Sequence, residues 1–130
     1  MTKKEWATHV GAITLFTEDR DAAKAFYRIF LGSDPVYEDE DSAVFKIGET
    51  MINLLGAQAV AELIEPASMT SNGLRSVYTL PVEDVDGAVK ALSKQGIEPH
   101  SGPVDRPWGI RTANFADPDG HLWELSCDLP

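Results

Sequence analysis

The chain contains an internal repeat, which constrains its fold more than any other feature of the sequence. The segment Thr14–Asp19 (TLFTED) recurs 65 residues later as Thr79–Asp84 (TLPVED), with four of six positions identical. Each copy is followed by apolar residues at helical spacing and then by a glycine, Gly32 after the first and Gly96 after the second. Because the same order of elements follows both copies, the sequence predicts two modules of one design.

Each module is expected to end in a hairpin that contains glycine. The first hairpin turns through Gly48, and the second turns through Asp117–Gly120 (Asp-Pro-Asp-Gly), a strong turn signal between apolar runs. This order predicts an α+β fold of two tandem β-α-β-β-β modules, at residues 10–55 and 74–127. The linker, residues 56–73, is expected to include a short helix, and residues 1–130 are expected to form a single domain.

Charge and composition argue against several classes of partner. The chain has 11 basic and 21 acidic residues, a net charge of -10, which disfavours binding to nucleic acid or to an anionic membrane surface. The single cysteine, Cys127, excludes an internal disulfide and a Cys-based zinc site, and it fits a reducing compartment. No apolar run approaches the roughly 20 residues that span a bilayer. We therefore expect a cytoplasmic protein without a nucleic-acid or membrane partner.

Strand alternation predicts which side chains share a face of the sheet, because successive residues point to opposite sides. One face is uniformly apolar and is expected to pack on the two helices: Ile13, Leu15, Ile52, Leu54, Tyr78, Leu80, Val82, Trp123 and Leu125. The opposite face mixes apolar groups with hydroxyls, an amide and a carboxylate: Ala12, Thr14, Phe16, Met51, Asn53, Leu55, Val77, Thr79, Leu122, Glu124 and Ser126. Such a face is typical of a small-molecule pocket, and equally of a sheet half-exposed to water.

The second hairpin resembles a known family. Residues 115–125 read Phe-Ala-Asp-Pro-Asp-Gly-His-Leu-Trp-Glu-Leu, and the first helix closes with Phe26-Tyr27 and Leu31-Gly32. With the paired modules, these motifs are similar to those of the vicinal oxygen chelate superfamily, which includes glyoxalase I, extradiol dioxygenases, fosfomycin resistance enzymes and bleomycin resistance proteins. The resemblance is closest to the bleomycin-resistance-like members. It implies a curved mixed sheet around a cavity, often within a homodimer.

The resemblance also assigns the positions that hold the metal ion in metal-dependent members. These positions are Ala12, Asn53, Val77 and Glu124, and the internal repeat pairs them in the same way. Ala12 and Val77 have no lone pairs and an amide is a weak ligand, whereas a catalytic metal site needs about three protein ligands. We therefore expect neither a metal ion nor another cofactor.

The histidines do not replace the missing ligands, because no two of them share a ligand spacing on one helix face. We interpret His9, His100 and His121 as solvent-facing or edge residues, and a pairing of His9 with Glu124 through a dimer partner stays open. Cys127 is interpreted as a small buried apolar residue.

Glu124 is the candidate catalytic residue. It is interpreted either as a general base or as the counter-charge for a cationic ligand. The alternative is a structural carboxylate that is hydrogen-bonded to Asn53, Thr14 or Thr79.

The loop Gly102–Arg111 is a second candidate region. Trp108 lies between Arg106 and Arg111, and arginine and tryptophan together can clamp a planar or anionic ligand by stacking and paired hydrogen bonds. The alternative is that Arg106 and Arg111 pair with surface carboxylates while Trp108 covers the edge of the sheet. The predicted ligand-binding residues are Thr14, Phe16, Met51, Asn53, Thr79, Trp108, Arg111, Leu122 and Glu124.

These features predict a metal-independent binding protein that sequesters a small planar or cationic compound, such as an antibiotic, and forms a homodimer. The alternative is a superfamily enzyme, a lyase, isomerase or dioxygenase, that uses Glu124 as its base or as its single remaining metal ligand. A regulatory module without a small ligand is a third interpretation.

Overall fold

Two four-stranded mixed sheets, each with one long helix, form the framework of the protein. The structure is a computed structural model that describes residues 9–70 and 72–130, and the chain divides between residues 69 and 70 into two compact units. The predicted α+β class and the two tandem β-α-β-β-β modules are confirmed.

The first unit has the strand order β1-β4-β3-β2. Its first and last strands, β1 and β4, are parallel neighbours, and the other pairs are antiparallel. A short 3-10 turn and a second, short helix follow the sheet. The elements are β1 (Ala12–Thr17), α1 (Arg20–Phe30), β2 (Tyr37–Glu38), β3 (Ser42–Ile47), β4 (Thr50–Gly56), the 3-10 turn (Ala57–Ala59) and α2 (Val60–Ile64).

The second unit repeats this arrangement with the strand order β5-β8-β7-β6. Here β5 and β8 are the parallel neighbours. The elements are β5 (Tyr78–Pro81), α3 (Val85–Lys94), β6 (Ser101–Asp105), β7 (Ile110–Ala116) and β8 (Leu122–Asp128).

The two long helices begin and end at the repeated residues. Asp19 precedes α1 and its carboxylate accepts a hydrogen bond from the backbone N–H of Ala22 at 3.1 Å, which satisfies one of the unpaired donors of the first turn. The equivalent Asp84 has the same extended backbone before α3. Gly32 and Gly96 follow the two helices with φ angles of 70° and 87°, a region in which glycine is favoured. None of the described helices is long and apolar enough to cross a membrane.

Each helix covers the predicted apolar face of its own sheet. In the first unit Leu15, Ile52 and Leu54 are buried together with helix and strand aromatics, and in the second unit Trp123 and Leu125 are buried. Each large apolar side chain removed from water stabilises the fold by about 1.5–3 kcal/mol. The side chains that complete these cores are Ala23, Tyr27, Ala43 and Phe45 in the first unit and Val85, Leu92, Ala113 and Phe115 in the second.

The edge strand β6 contains an irregularity. Its pairing with β7 shifts register between Ser101 and Val104, which is a β-bulge. Gly102 lies at the shift with a φ angle of 85°, and a Cβ atom there would lie 2.6 Å from the carbonyl oxygen of Thr112. The bulge therefore requires glycine at this position.

The turn between β7 and β8 is organised by a buried carboxylate. Asp117 accepts hydrogen bonds from the backbone N–H groups of Asp119 at 2.9 Å and His121 at 2.8 Å, and its second oxygen lies 2.8 Å from His121 Nδ1. His121 is thus a bonded, half-buried residue, and its interpretation as a solvent-facing or edge histidine is wrong, because the turn folds its ring back onto Asp117. His100, by contrast, is exposed as predicted.

This contact makes the stability of the protein depend on pH. The hydrogen bond that the His121 ring donates to the Asp117 carboxylate raises the pKa of His121 above its ordinary value of 6.5, against the opposing effect of burial. Because the folded pKa is the higher one, the stabilisation is complete below the unfolded pKa and is lost as pH rises through the folded pKa. We expect the free energy of unfolding in urea to fall across this window in the wild type.

The matched comparison is His121→Gln against His100→Gln, which removes an exposed histidine. The pH-dependent fall should disappear in the first variant and persist in the second. An unchanged pH dependence in His121→Gln would contradict the prediction.

Candidate functional site

The face of the second sheet that turns away from α3 is polar. Phe115 on β7 and Trp123 on β8 are buried on the side that faces α3. Because side chains alternate along a strand, the residues next to them point to the opposite side of the sheet. Cross-strand pairing aligns Asn114 with Glu124, and Thr112 with Ser126. We call this surface the open face of the second sheet: Thr79, Thr112, Asn114, Leu122, Glu124 and Ser126.

Glu124 is held by the neighbouring parallel strand. The register of β5 and β8 aligns it with Thr79, whose hydroxyl group donates to Glu124 Oε1 at 3.0 Å. Among residues 9–70 and 72–130, no hydrogen bond to the other oxygen, Oε2, is found, and the side chain is half-buried. Of the hydrogen-bond partners considered from the sequence, Thr79 is the one observed. The carboxylate is therefore oriented by one oxygen and open to a ligand at the other.

The remaining predicted residues on β1 and β4 belong to the first sheet. Parallel pairing aligns Thr14 with Asn53, and Asn53 Nδ2 lies 3.5 Å from Thr14 Oγ1, at the limit of a hydrogen bond. Asn53 Oδ1 is buried without a hydrogen-bond partner among the described residues. Phe16 and Met51 are half-buried on the same side of the sheet. A pocket of about 390 Å³ adjoins this face and is lined by Asp39, Asp41, Ser42, Asn53, Leu55, Ala59, Glu62 and Leu63.

The four positions that the superfamily uses for its metal do not fit a metal ion here. Ala12 pairs with Met51 and is exposed, and Val77 is 50% exposed just before β5; neither side chain has a donor atom. Glu124 supplies one anionic ligand, and Asn53 supplies one neutral amide oxygen. Asn53 belongs to the first unit and Glu124 to the second, and one donor at these positions in each unit falls short of the three or more ligands that a catalytic site requires.

A second group of potential ligands occupies the β7–β8 turn. Donor atoms of Asp117, Asp119 and His121 lie within 4.8 Å of one another. Both oxygens of Asp117 already accept hydrogen bonds or pair with the His121 ring inside this turn. These contacts stabilise the turn, so the proximity of the three side chains is explained without a metal ion.

Trp108 and Arg111 do not lie beside Glu124. Trp108 is 67% exposed in the turn between β6 and β7. Arg111 pairs with Cys127, which places it on the helix side of the sheet, and its guanidinium donates to Asp105 at 2.7 Å and to Asp86 at 2.9 Å. Its hydrogen bond to Asp105 raises the pKa of Arg111 further above its ordinary value. Arg111 therefore pairs with surface carboxylates, which was one of the two interpretations of the sequence.

Asn114 of the open face escaped the sequence analysis, and Arg106 does not show the expected pairing with a surface carboxylate. Asn114 Oδ1 is buried with no hydrogen-bond partner among the described residues, directly across from Glu124. Arg106 reaches Thr112, with its Nε donating to Thr112 Oγ1 at 3.0 Å. Alternation along β7 was a signal for Asn114, because it lies two residues from Thr112 and Ala116. Arg106, which follows the bulged strand, was considered from the sequence as part of the Trp108 loop, but its hydrogen bond to Thr112 was not predicted.

The placement of Arg111 predicts the effect of its removal. Arg111→Gln should lower the free energy of unfolding only slightly, because the two ion pairs that it breaks are partly exposed to water. It should leave ligand binding at the open face unchanged, since Arg111 lies on the other side of the sheet. Urea unfolding measures the first quantity. A loss of ligand affinity much greater in Arg111→Gln than in Asp86→Asn, which breaks one of the same pairs, would contradict the assignment.

Comparison with known proteins identifies relatives over most of the chain. The model of the family described as Glyoxalase/Bleomycin resistance protein/Dioxygenase superfamily matches residues 9–125. A curated relative, the uncharacterized protein YraH of Bacillus subtilis (strain 168), is 33% identical over an alignment of 119 positions, which covers 87% of this chain and 93% of the relative.

Solved structures of similar proteins have the same fold. A glyoxalase/bleomycin resistance protein/dioxygenase from Nocardioides is 25% identical with a TM-score of 0.82, over 97% of this chain and 87% of that one. Lactoylglutathione lyase from Agrobacterium tumefaciens is 22% identical with a TM-score of 0.76, over 92% and 93% of the two chains. The second likeness concerns the fold alone.

Proposed function

The chain belongs to the glyoxalase/bleomycin resistance protein/dioxygenase superfamily, and on that premise we propose that it binds a small organic molecule without a metal ion. The observation that carries the proposal is Glu124, a half-buried carboxylate on the open face whose Oε1 is held by Thr79. A pre-oriented carboxylate binds a cation without first having to be ordered. The poor fit of the metal-ligand positions supports the metal-independent form of the proposal.

The ligand class follows from the charge of this carboxylate. Glu124 Oε2 accepts a hydrogen bond from an ammonium or amidinium group, and such charge-assisted bonds are roughly twice as strong as neutral ones. Leu122, half-buried on the same face, offers apolar contact to a planar part of the ligand. The net charge of -10 raises the local concentration of cations around the protein. We therefore propose a planar or cationic compound, such as an antibiotic, as the ligand.

The test is ligand-induced stabilisation of the folded protein. Bleomycin and a planar cationic dye, ethidium, serve as probes, each titrated against metal-depleted protein while the melting temperature is measured. A probe at about 100 times its Kd stabilises the folded state by about 2.7 kcal/mol, which raises the melting temperature by several degrees. Glu124→Gln should weaken binding of the stabilising probe by at least about tenfold.

The matched control is Glu83→Gln, which removes an exposed carboxylate and changes the net charge equally. It should bind the probe as the wild type does. Binding that requires an added divalent ion, or equal loss in both variants, would contradict the proposal. The homodimer and the cytoplasmic location stay predictions.

An enzymatic role for the same carboxylate is the second candidate. The open oxygen of Glu124 is the observation that favours it, because a general base needs a lone pair directed at the proton it removes. Exchange of a bound ligand's carbon-bound hydrogen with deuterated solvent, abolished in Glu124→Gln, would identify this role.

A further inference from the structure

Arg106 is bonded differently from the other half-buried arginines. Arg20 and Arg111 each donate to two carboxylates at 3.3 Å or less. Arg106 instead donates through Nε to the hydroxyl group of Thr112 at 3.0 Å. Within residues 9–70 and 72–130, neither a carboxylate nor any other partner of its Nη1 and Nη2 atoms is found, although acidic residues outnumber basic ones 21 to 11.

The guanidinium of Arg106 is fixed in place rather than free in solvent. Thr112 is fully buried, at 0% exposure, on the open face of the second sheet. The backbone of Arg106 is held as well, because its N–H donates to the carbonyl group of Ile110 at 2.7 Å and its carbonyl group accepts from Gly109 at 3.0 Å. With Nε occupied, the two Nη groups present a planar pair of donors, the geometry that matches a carboxylate or phosphate.

The rest of the open face offers acceptors. Asn114 lies two residues from Thr112 on β7, a separation of about 7 Å at the rise of an extended strand. Its buried Oδ1 lacks a partner, and Glu124 lies directly across from it with Oε2 open. A buried acceptor without a donor is costly, and a ligand N–H or O–H group would satisfy it.

We propose that Arg106 binds an anionic group of the ligand, a carboxylate or a phosphate, through its two Nη groups. The inference rests on the proposed function, in which Glu124 binds the cationic group. The ligand is then amphoteric, with an amine at Glu124 and Asn114 and an anionic group at Arg106, which is bonded to Thr112, two residues along β7 from Asn114. Thr112 is a positioning residue, because it acts on the ligand only through the guanidinium.

The test uses small probes that separate the two charges. Acetate and inorganic phosphate carry the anion alone, methylammonium carries the cation alone, and 4-aminobutyrate and 3-aminopropylphosphonate carry both. Titrations are followed through the Nε–H resonance of Arg106 in the ¹H–¹⁵N spectrum, together with backbone amides of β7 and β8. We expect the amphoteric probes to bind at least about tenfold more tightly than methylammonium. Tighter binding of 4-aminobutyrate would identify the anionic group as a carboxylate, and tighter binding of 3-aminopropylphosphonate would identify it as a phosphate-type group.

Variants then assign the anion site. Arg106→Gln should weaken the preferred amphoteric probe by at least about tenfold and leave methylammonium unchanged. Thr112→Val keeps the charge and the side-chain shape but removes the hydrogen bond to Nε, and it should weaken the same probe severalfold. The matched control is Arg75→Gln, which removes an exposed arginine of the same unit and should bind every probe as the wild type does.

The outcomes separate this inference from the proposed function. Equal affinity of wild type and Arg106→Gln for the amphoteric probes, or an equal loss in Arg75→Gln, would overturn the anion site. Methylammonium binding that is lost in Glu124→Gln would still support the proposed function in that case. Anion binding lost only in Arg106→Gln, with no methylammonium binding, would support the anion site and count against the proposed function.

Discussion

The parallel pairing of the first and last strands of each module is the constraint on which the rest of the structure depends. Parallel neighbours keep aligned residues on the same face, so the pairing sets Thr14 beside Asn53 and Thr79 beside Glu124. One face of each sheet must then pack on its helix, which fixes the register, because a slip of one residue would expose the whole core face. The polar side chains of the open faces are therefore placed by the burial of the apolar ones.

The same framework carries different chemistry in its two copies. In the first sheet the aligned pair is a threonine and an amide, and in the second it is a threonine and a carboxylate. The superfamily fold accommodates this because function depends on the residues placed on a fold rather than on the fold itself. Asn53 and Glu124 hold equivalent positions in the two units, and only Glu124 is charged. The proposed function therefore concerns the second unit.

Much of the fold was predictable from the sequence, and the site was predictable in part. The repeat, the acidic residues before each long helix and the alternation of β4 and β8 gave the elements and their faces, because local propensity and burial agree there. The contact between Asp117 and His121 was missed because it depends on how a turn folds back on itself. Arg111 pairs with Asp86 on α3, a partner 25 residues away that alternation alone does not reveal.

The bulge at Gly102 decides which charge the edge strand presents to the open face. If the pairing of Ser101 with Asn114 continued without interruption, Asp105 would follow the open face and Arg106 the helix side. The extra residue reverses this alternation, so that Val104 pairs with Thr112 and Asp105 pairs with Arg111. Regular pairing of the same residues, with the bulge abolished and none deleted, would exchange a cation for an anion on the open face without altering any side chain. The electrostatic sign of this surface is therefore set by the bulge as well as by the composition of the strand.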